Sequence, residues 1–243
     1  MEKAELSGKD AVVPMVYITG DVHGDYSRFT SSGARKLKKG DTLIVCGDFG
    51  FIWDGGHKEQ KLLKKLGSLP YTVAFLDGRH ENYQLLAEYP VSEWNGGRVQ
   101  VIAGSLVHLM RGEIYDLEGE SYFVFGGGES ADHEFRTEGV GWWEEEMPSA
   151  QEMVSGVDHL EERDCRVDYI LTHEPSGKAS GYLGALRTRL NGVSVYLDRV
   201  EENVSFKRWY FGCLHLDKTI SSRHQAVFRD VVAVHGHERR GKR

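Results

Sequence analysis

Apolar residues along this chain gather into short continuous runs, and strongly polar residues follow each run. Positions 15–19, 42–46, 71–76 and 167–171 are near-continuous apolar stretches of strand length. Such runs are expected of parallel strands buried on both faces. Helical periodicity lies between them. Residues 26–39 end in Arg35, Lys36, Lys38 and Lys39 ahead of Gly40, and cations followed by glycine mark a helix stop. Residues 58–69 put Leu62, Leu63, Leu66 and Leu69 on one side and lysines on the other, an amphipathic helix. A short helix is predicted at 82–88, ahead of Pro90.

From 98 to 125 the texture changes. Four runs, 99–102, 106–110, 113–117 and 121–125, are separated by turn residues and predict an antiparallel meander. A polar excursion follows at 129–166, with Trp142, Trp143, three consecutive glutamates and Pro148. Its second half, 149–163, reads as a helix, with Ser149 and Glu152 at capping-box spacing. Residues 176–182 read as loop and 183–190 as a helix, and 193–197 and 204–209 are apolar runs of unassigned type. The runs 226–228 and 231–234 are expected at sheet edges. Residues 1–13 and 236–243 are expected to be a disordered leader and tail. The whole is a mixed α/β (α+β) pattern, and 243 residues fit one domain spanning 1–243.

Composition changes this picture in a few places. With 40% hydrophobic and 28% charged residues, the chain is an ordinary soluble one. No apolar run approaches the ~20 residues that span a bilayer, and no signal-like apolar segment opens the chain. Three cysteines, Cys46, Cys165 and Cys213, are odd in number and widely spaced. That favours a reducing, cytoplasmic setting over a disulfide framework. The net charge of −7 weighs against general nucleic-acid binding. A phosphate-handling protein of this charge must concentrate positive charge locally, through a metal or a few arginines. Nothing in the sequence fixes an oligomeric state.

Candidate chemistry sits where the runs end. The first leads to Asp21 and His23, the second to Asp48, the third to Arg79 and His80. The run at 167–171 leads to His173, and Trp209-Tyr210-Phe211 leads to Cys213 and His215. Taken alone, Asp21-Val22-His23 is a polar turn; in an extended segment its two side chains would share one side. Five such ends are a different matter, because ligands of open α/β sheets bind outside the carboxyl ends of strands. Asp and His are common ligands of Zn, Mn and Fe.

The ordered set Asp-x-His, Gly-Asp, Gly-x-His-Glu, Thr-His, Gly-x-x-His, from Asp21 to His215, resembles the calcineurin-like metallophosphoesterase superfamily. The resemblance implies a β-sandwich of mixed sheets flanked by α-helices. It also implies a two-metal centre at the strand ends and hydrolysis of a phosphomonoester or phosphodiester by a metal-activated water. The divalent metal is Mn, Fe, Zn or Ni. Carried across, Asp21, His23, Asp48 and His215 match the first metal site, Asp48 bridges to the second, and His173 matches a second-site ligand. His80 resembles the histidine that assists the leaving oxygen, with Glu81 in support.

Two positions depart from the pattern. Arg79 stands where the family has a ligating Asn, and arginine has no acceptor and a permanent positive charge. Cys213 stands where the family has a ligating His. It is either a thiolate ligand or a small buried core residue. Both departures fall on the second metal. One metal is expected, with the Arg79 guanidinium near the missing one as a phosphate clamp, or else paired with Asp77 or Glu81. The substrate is then a phosphorylated molecule of unstated class. The alternative is a catalytically degenerate relative that serves as a protein-binding scaffold. Asp25, Arg111 and Arg136 are further candidates for orienting a ligand or contacting phosphate, and Trp142 and Trp143 for a lid wall or a satellite core. His133 is expected to be solvated, and His57, His108, His159, His224, His235 and His237 to be surface or packing residues.

Overall fold

The computed structural model describes residues 14–183 and 191–234. The expected leader, tail and helix at 183–190 fall almost entirely outside the described residues, as do His235 and His237.

In chain order the strands are β1 (Val16–Thr19), β2 (Thr42–Cys46), β3 (Thr72–Leu76), β4 (Val91–Trp94), β5 (Gly97–Ala103), β6 (Leu106–Leu109), β7 (Ile114–Leu117), β8 (Glu120–Phe125), β9 (Tyr169–Thr172), β10 (Arg208–Phe211), β11 (Lys218–Thr219), β12 (His224–Ala226) and β13 (Val232–Ala233). The helices are α1 (His57–Leu66), α2 (Tyr83–Ala87), α3 (Ala150–Glu161), α4 (Gly177–Gly181) and α5 (Gly192–Asn203). The strands form a seven-stranded sheet, β13-β1-β2-β3-β6-β5-β4, and a six-stranded sheet, β11-β12-β10-β9-β8-β7. β1, β2, β3 and β6 run parallel in the first, and β8, β9, β10 and β12 in the second.

Period-two alternation explains why the central strands read as unbroken apolar runs. In β2, Ile44 and Cys46 face one cluster while Leu43 and Val45 face another. β3 repeats this with Ala74 and Leu76 against Val73 and Phe75. In β9 and β10, Leu171 and Tyr210 join the first cluster, and Ile170, Trp209 and Phe211 a third. The shared cluster is the layer between the sheets. The other two lie on the outer faces, one with Leu63 and Leu66 of α1, the other with Leu160 of α3 and Val193, Leu197 and Val200 of α5. Each fully buried Leu, Ile or Phe side chain in these layers contributes about 1.5–3 kcal/mol.

Several expectations need correction. The segment 26–39 is not one helix. It is two 3₁₀ turns, Tyr26–Thr30 and Ala34–Lys36, split where Ser31 turns extended. The four runs from 98 to 125 are two hairpins in different sheets, β5–β6 and β7–β8. β6 then pairs parallel with β3, and β8 with β9, so no single meander exists. The apolar run 193–197 lies in α5, whose Asn191 cap and Ser194 form a capping box. The 176–182 loop contains the short helix α4, capped by Ser176. β12 is internal to its sheet, and only β13 of the last two runs lies at an edge. Ser149 and Glu152 do form the predicted capping box on α3.

Candidate metal centre

Parallel strands of both sheets deliver their carboxyl ends to one place. β1 leads into Asp21 and His23, β2 into Asp48, and β10 into Cys213 and His215. The extended geometry expected for Asp21-Val22-His23 is not what brings the pair together: His23 has φ +45°, in the left-handed region. Among the described residues eight non-glycine positions have positive φ, and four of them are His23, Asp48, Cys213 and His215. Such backbone costs energy and concentrates at functional sites. Gly78 permits a close approach, since a Cβ there would overlap Asp48 Oδ1 and its backbone nitrogen.

Asp21, His23, Asp48 and His215 each aim one ligand atom into a space where all four lie within 4.8 Å of one another. His215 Nε2 is 3.0 Å from Asp21 Oδ2 and 2.9 Å from His23 Nε2. His23 Nε2 is 3.8 Å from Asp48 Oδ2. Both carboxylates are buried, yet Asp21 Oδ2 and Asp48 Oδ2 have no aligned hydrogen-bond donor. Two orphaned buried carboxylate oxygens cost several kcal/mol in a polypeptide alone (about 1–3 kcal/mol or more for each). Two imidazole nitrogens set tip to tip give at most one hydrogen bond. This donor set fits a divalent cation, which would satisfy all four atoms at once.

The protonation of these groups follows from the same geometry. Burial works against the charge of Asp48, but His173, His80 and Arg79 hold its carboxyl far below the ordinary range. The contact with Asp21 pushes His215 up, whereas burial pushes His23 down.

On the far side of Asp48 the expected second set is incomplete. His173 is fully buried, its Nδ1 is 3.3 Å from the Cys46 carbonyl, and its unpartnered Nε2 is 3.4 Å from Asp48 Oδ1. That much suits a ligand. The Arg79 backbone N–H, however, donates to Asp48 Oδ1 at 2.6 Å. The Arg79 guanidinium reaches Cys213 Sγ at 3.4 Å and the Glu129 carbonyl at 3.4 Å. Cys213 is part-exposed as a residue, but its sulfur is enclosed and burial pushes the thiol well up despite the guanidinium. Burial also opposes the charge on Arg79, and its neighbours outweigh that. The groups around Arg79 that favour its charge are Cys213, Asp48, Glu174 and Asp21. On this side Arg79 supplies no acceptor and its guanidinium lies against Cys213 Sγ, whereas Asp21, His23, Asp48 and His215 converge on one point.

His80 stands beside the carboxylate pair. Its Nδ1 is 3.0 Å from Asp48 Oδ2 without hydrogen-bond alignment, and its ring meets His23 edge-on at 4.7 Å. Glu81 does not pair with Arg79. It is fully buried and accepts the backbone N–H groups of Phe49 at 2.6 Å and Gly78 at 2.8 Å, so it ties the Asp48 loop to the Arg79 loop. Burial and the nearby Asp48 charge push its carboxyl well above the usual range.

The other candidates resolve away from the centre. Asp25 caps the first 3₁₀ turn through Ser27. Asp77 and Arg111 form a buried ion pair, and Arg136 binds Asp132 and the Gly141 carbonyl. His133 is half-buried rather than simply solvated: its Nδ1 is 2.9 Å from the Ser130 carbonyl and its ring stacks on Trp142 at 5.2 Å. Trp143 is buried and meets Trp53 edge-on at 5.1 Å, a satellite core. Sequence reasoning missed the wall formed by Asp217 and Phe228. Asp217 lies in a segment with neither a motif nor a period, and Phe228 read only as the end of the apolar run 226–228.

Two sheets packed face to face, with carboxylates and imidazoles converging at their strand ends, define a metal-centre architecture. The model of the calcineurin-like phosphoesterase family matches residues 14–238, and the chain belongs to that family. Comparison with curated proteins gives no match.

Proposed function

We propose that this protein is a metal-dependent phosphoesterase with a single tightly held divalent ion, drawn from Mn, Fe, Zn or Ni, and an arginine in the second position. The observation that supports it best is the pair of orphaned buried oxygens, Asp21 Oδ2 and Asp48 Oδ2, facing two imidazoles. Asp21, His23, Asp48 and His215 would hold the ion. When bound there, it supplies positive charge for phosphate oxygens and lowers the pKa of a water toward neutrality.

The chain's own residues do the rest. Arg79 offers a buried Nε with no protein partner. A charged donor left unpaired is costly, and a phosphate oxygen would satisfy it, so Arg79 binds and orients the substrate. His80 has no protein partner for Nε2 among the described residues. It holds the proton for the departing oxygen while Asp48 sits against Nδ1. His173 and Cys213 complete the pocket wall, with His173 the remaining candidate ligand. The substrate is a phosphorylated molecule of unstated class, and the net charge of −7 weighs against a nucleic acid. Three free cysteines suit a cytoplasmic setting.

The test is turnover of aryl phosphomonoesters and bis-aryl phosphodiesters with Mn, Zn, Ni and Fe in turn, alongside elemental analysis of protein purified without chelator. One metal per chain is expected. His80→Ala should lower kcat by about 10²- to 10⁴-fold, the range for loss of a general acid. The double change Arg79→Asn with Cys213→His should raise the stoichiometry toward two. Two metals held tightly by the unmodified chain would end the one-metal reading. No turnover with any metal would favour a second reading, a protein-binding scaffold, which fits Arg79 and Cys213 standing in place of second-site ligands.

A further inference from the structure

His215 is the most exposed of the four converging side chains, at 50% against 0% for Asp21 and 1% for Asp48. It stands on a loop after β10, at φ +49°, outside any helix or strand. Neither burial nor secondary structure fixes its ring. A segment from the far end of the chain does so instead.

The Phe228 ring stacks on the His215 ring at 4.7 Å and 18°. Phe228 is itself anchored from two directions. Its carbonyl accepts from Gly20 N at 3.1 Å, from Thr19 Oγ1 at 3.0 Å and from the Arg28 guanidinium. These groups belong to the end of β1 and the turn after it, and Arg28 also donates to the Asp21 carbonyl at 2.8 Å. Gly20 is required, because a Cβ there would overlap the Val227 carbonyl. The Phe228 N–H donates to Asp217 Oδ1 at 2.7 Å. Asp217, two residues beyond His215, also accepts from Arg229 N at 2.9 Å and Asp230 N at 3.2 Å. One carboxylate thus gathers three successive backbone amides and fastens the His215 loop to the Phe228 loop. The guanidinium groups of Arg28 and Arg229 each lie 5.4 Å from the Phe228 ring centre and hold the ring in place.

We propose that Asp217 and Phe228 are positioning residues that hold the His215 imidazole at the metal centre and set how tightly that centre retains its ion. The proposal rests on the assignment of His215 as a ligand. Ligands acquire orientation from the groups around them, and removing such a group typically weakens binding by about 10- to 100-fold.

Cobalt(II) titration of the chelator-treated protein, followed by visible absorption, tests it. Phe228→Ala and Asp217→Ala should each weaken cobalt binding by about 10- to 100-fold and shift the d–d bands toward those of His215→Ala. Phe228→Tyr keeps a flat ring and should bind as the unmodified protein does. Phe228→Leu keeps apolar bulk without the ring and should behave as the alanine variant. It also covers the case in which Phe228→Ala does not fold. Unchanged affinity and spectrum in the Phe228→Leu and Asp217→Ala variants, with His215→Ala impaired, would overturn the proposal alone. Unchanged cobalt binding in His215→Ala would overturn the assignment of the centre and the proposal with it.

Discussion

Arg111 is buried, and its guanidinium donates to Asp77 Oδ2 at 2.6 and 2.8 Å. It also reaches the carbonyls of Glu145 at 2.8 Å and Glu146 at 3.2 Å. Asp77 precedes Gly78 and Arg79, so one side chain links the excursion to the loop beside the metal centre. His108 Nε2 lies 3.1 Å from the other Asp77 oxygen. Replacing Arg111 with Met would leave the buried Asp77 with His108 and the Tyr83 hydroxyl but without its arginine counter-charge, and breaking a buried pair costs about 3–5 kcal/mol. Urea unfolding should show that loss, and a change below about 1 kcal/mol would contradict the role given to the pair. The residues of the candidate centre were legible in the sequence because each follows an apolar run within a few positions. Arg111, Asp217 and Phe228 were not. Their partners lie far away in the chain, and only the tertiary fold shows that they meet.

The parallel strands β2 and β3 were legible because both faces are buried and the runs are continuous. β4 was missed: its residues are largely exposed, and Pro90 obscures its start. The two hairpins looked like one meander because a hairpin's pattern does not say which sheet it joins. Between them the chain crosses from one sheet to the other at 110–113. The junction of β8 and β9 gives an element-level prediction. Asp168, just before β9, accepts from Ser121 N at 2.8 Å and Oγ at 3.0 Å, and pairs with Lys207 at 2.9 Å. Burial opposes its charge, but these donors hold its carboxyl at about 2, below the usual value of about 3.9 for an unfolded chain. A lowered carboxyl stabilises the fold above the unfolded value, and that contribution is lost as pH falls from near 4 through 2. Asp168→Asn should flatten the decline of stability across that window. Urea midpoints at stepped pH measure it, and an unchanged slope would refute the linkage.

Across the molecule, the centre joins the end of β1 to the loop after β10, and the outer-face clusters clamp each sheet separately. Among the described residues no helix is long and apolar enough to cross a membrane. A divalent ion that binds only the folded chain stabilises it by about 2.7 kcal/mol at one hundred times its dissociation constant. For a chain of this length that raises Tm by about 5–11 °C. Calorimetry with and without chelator should show the shift, and coincident transitions would mean that the ion does not bind the native centre.

His23 and His215, whose ring nitrogens touch, are 192 positions apart. Under the proposed assignment, three of the four ligands, Asp21, His23 and Asp48, therefore emerge during synthesis long before the fourth, His215. The Phe228 loop emerges later still. If the four residues hold an ion as proposed, the complete set forms only after residue 215 has been made and the loop after β10 meets the end of β1.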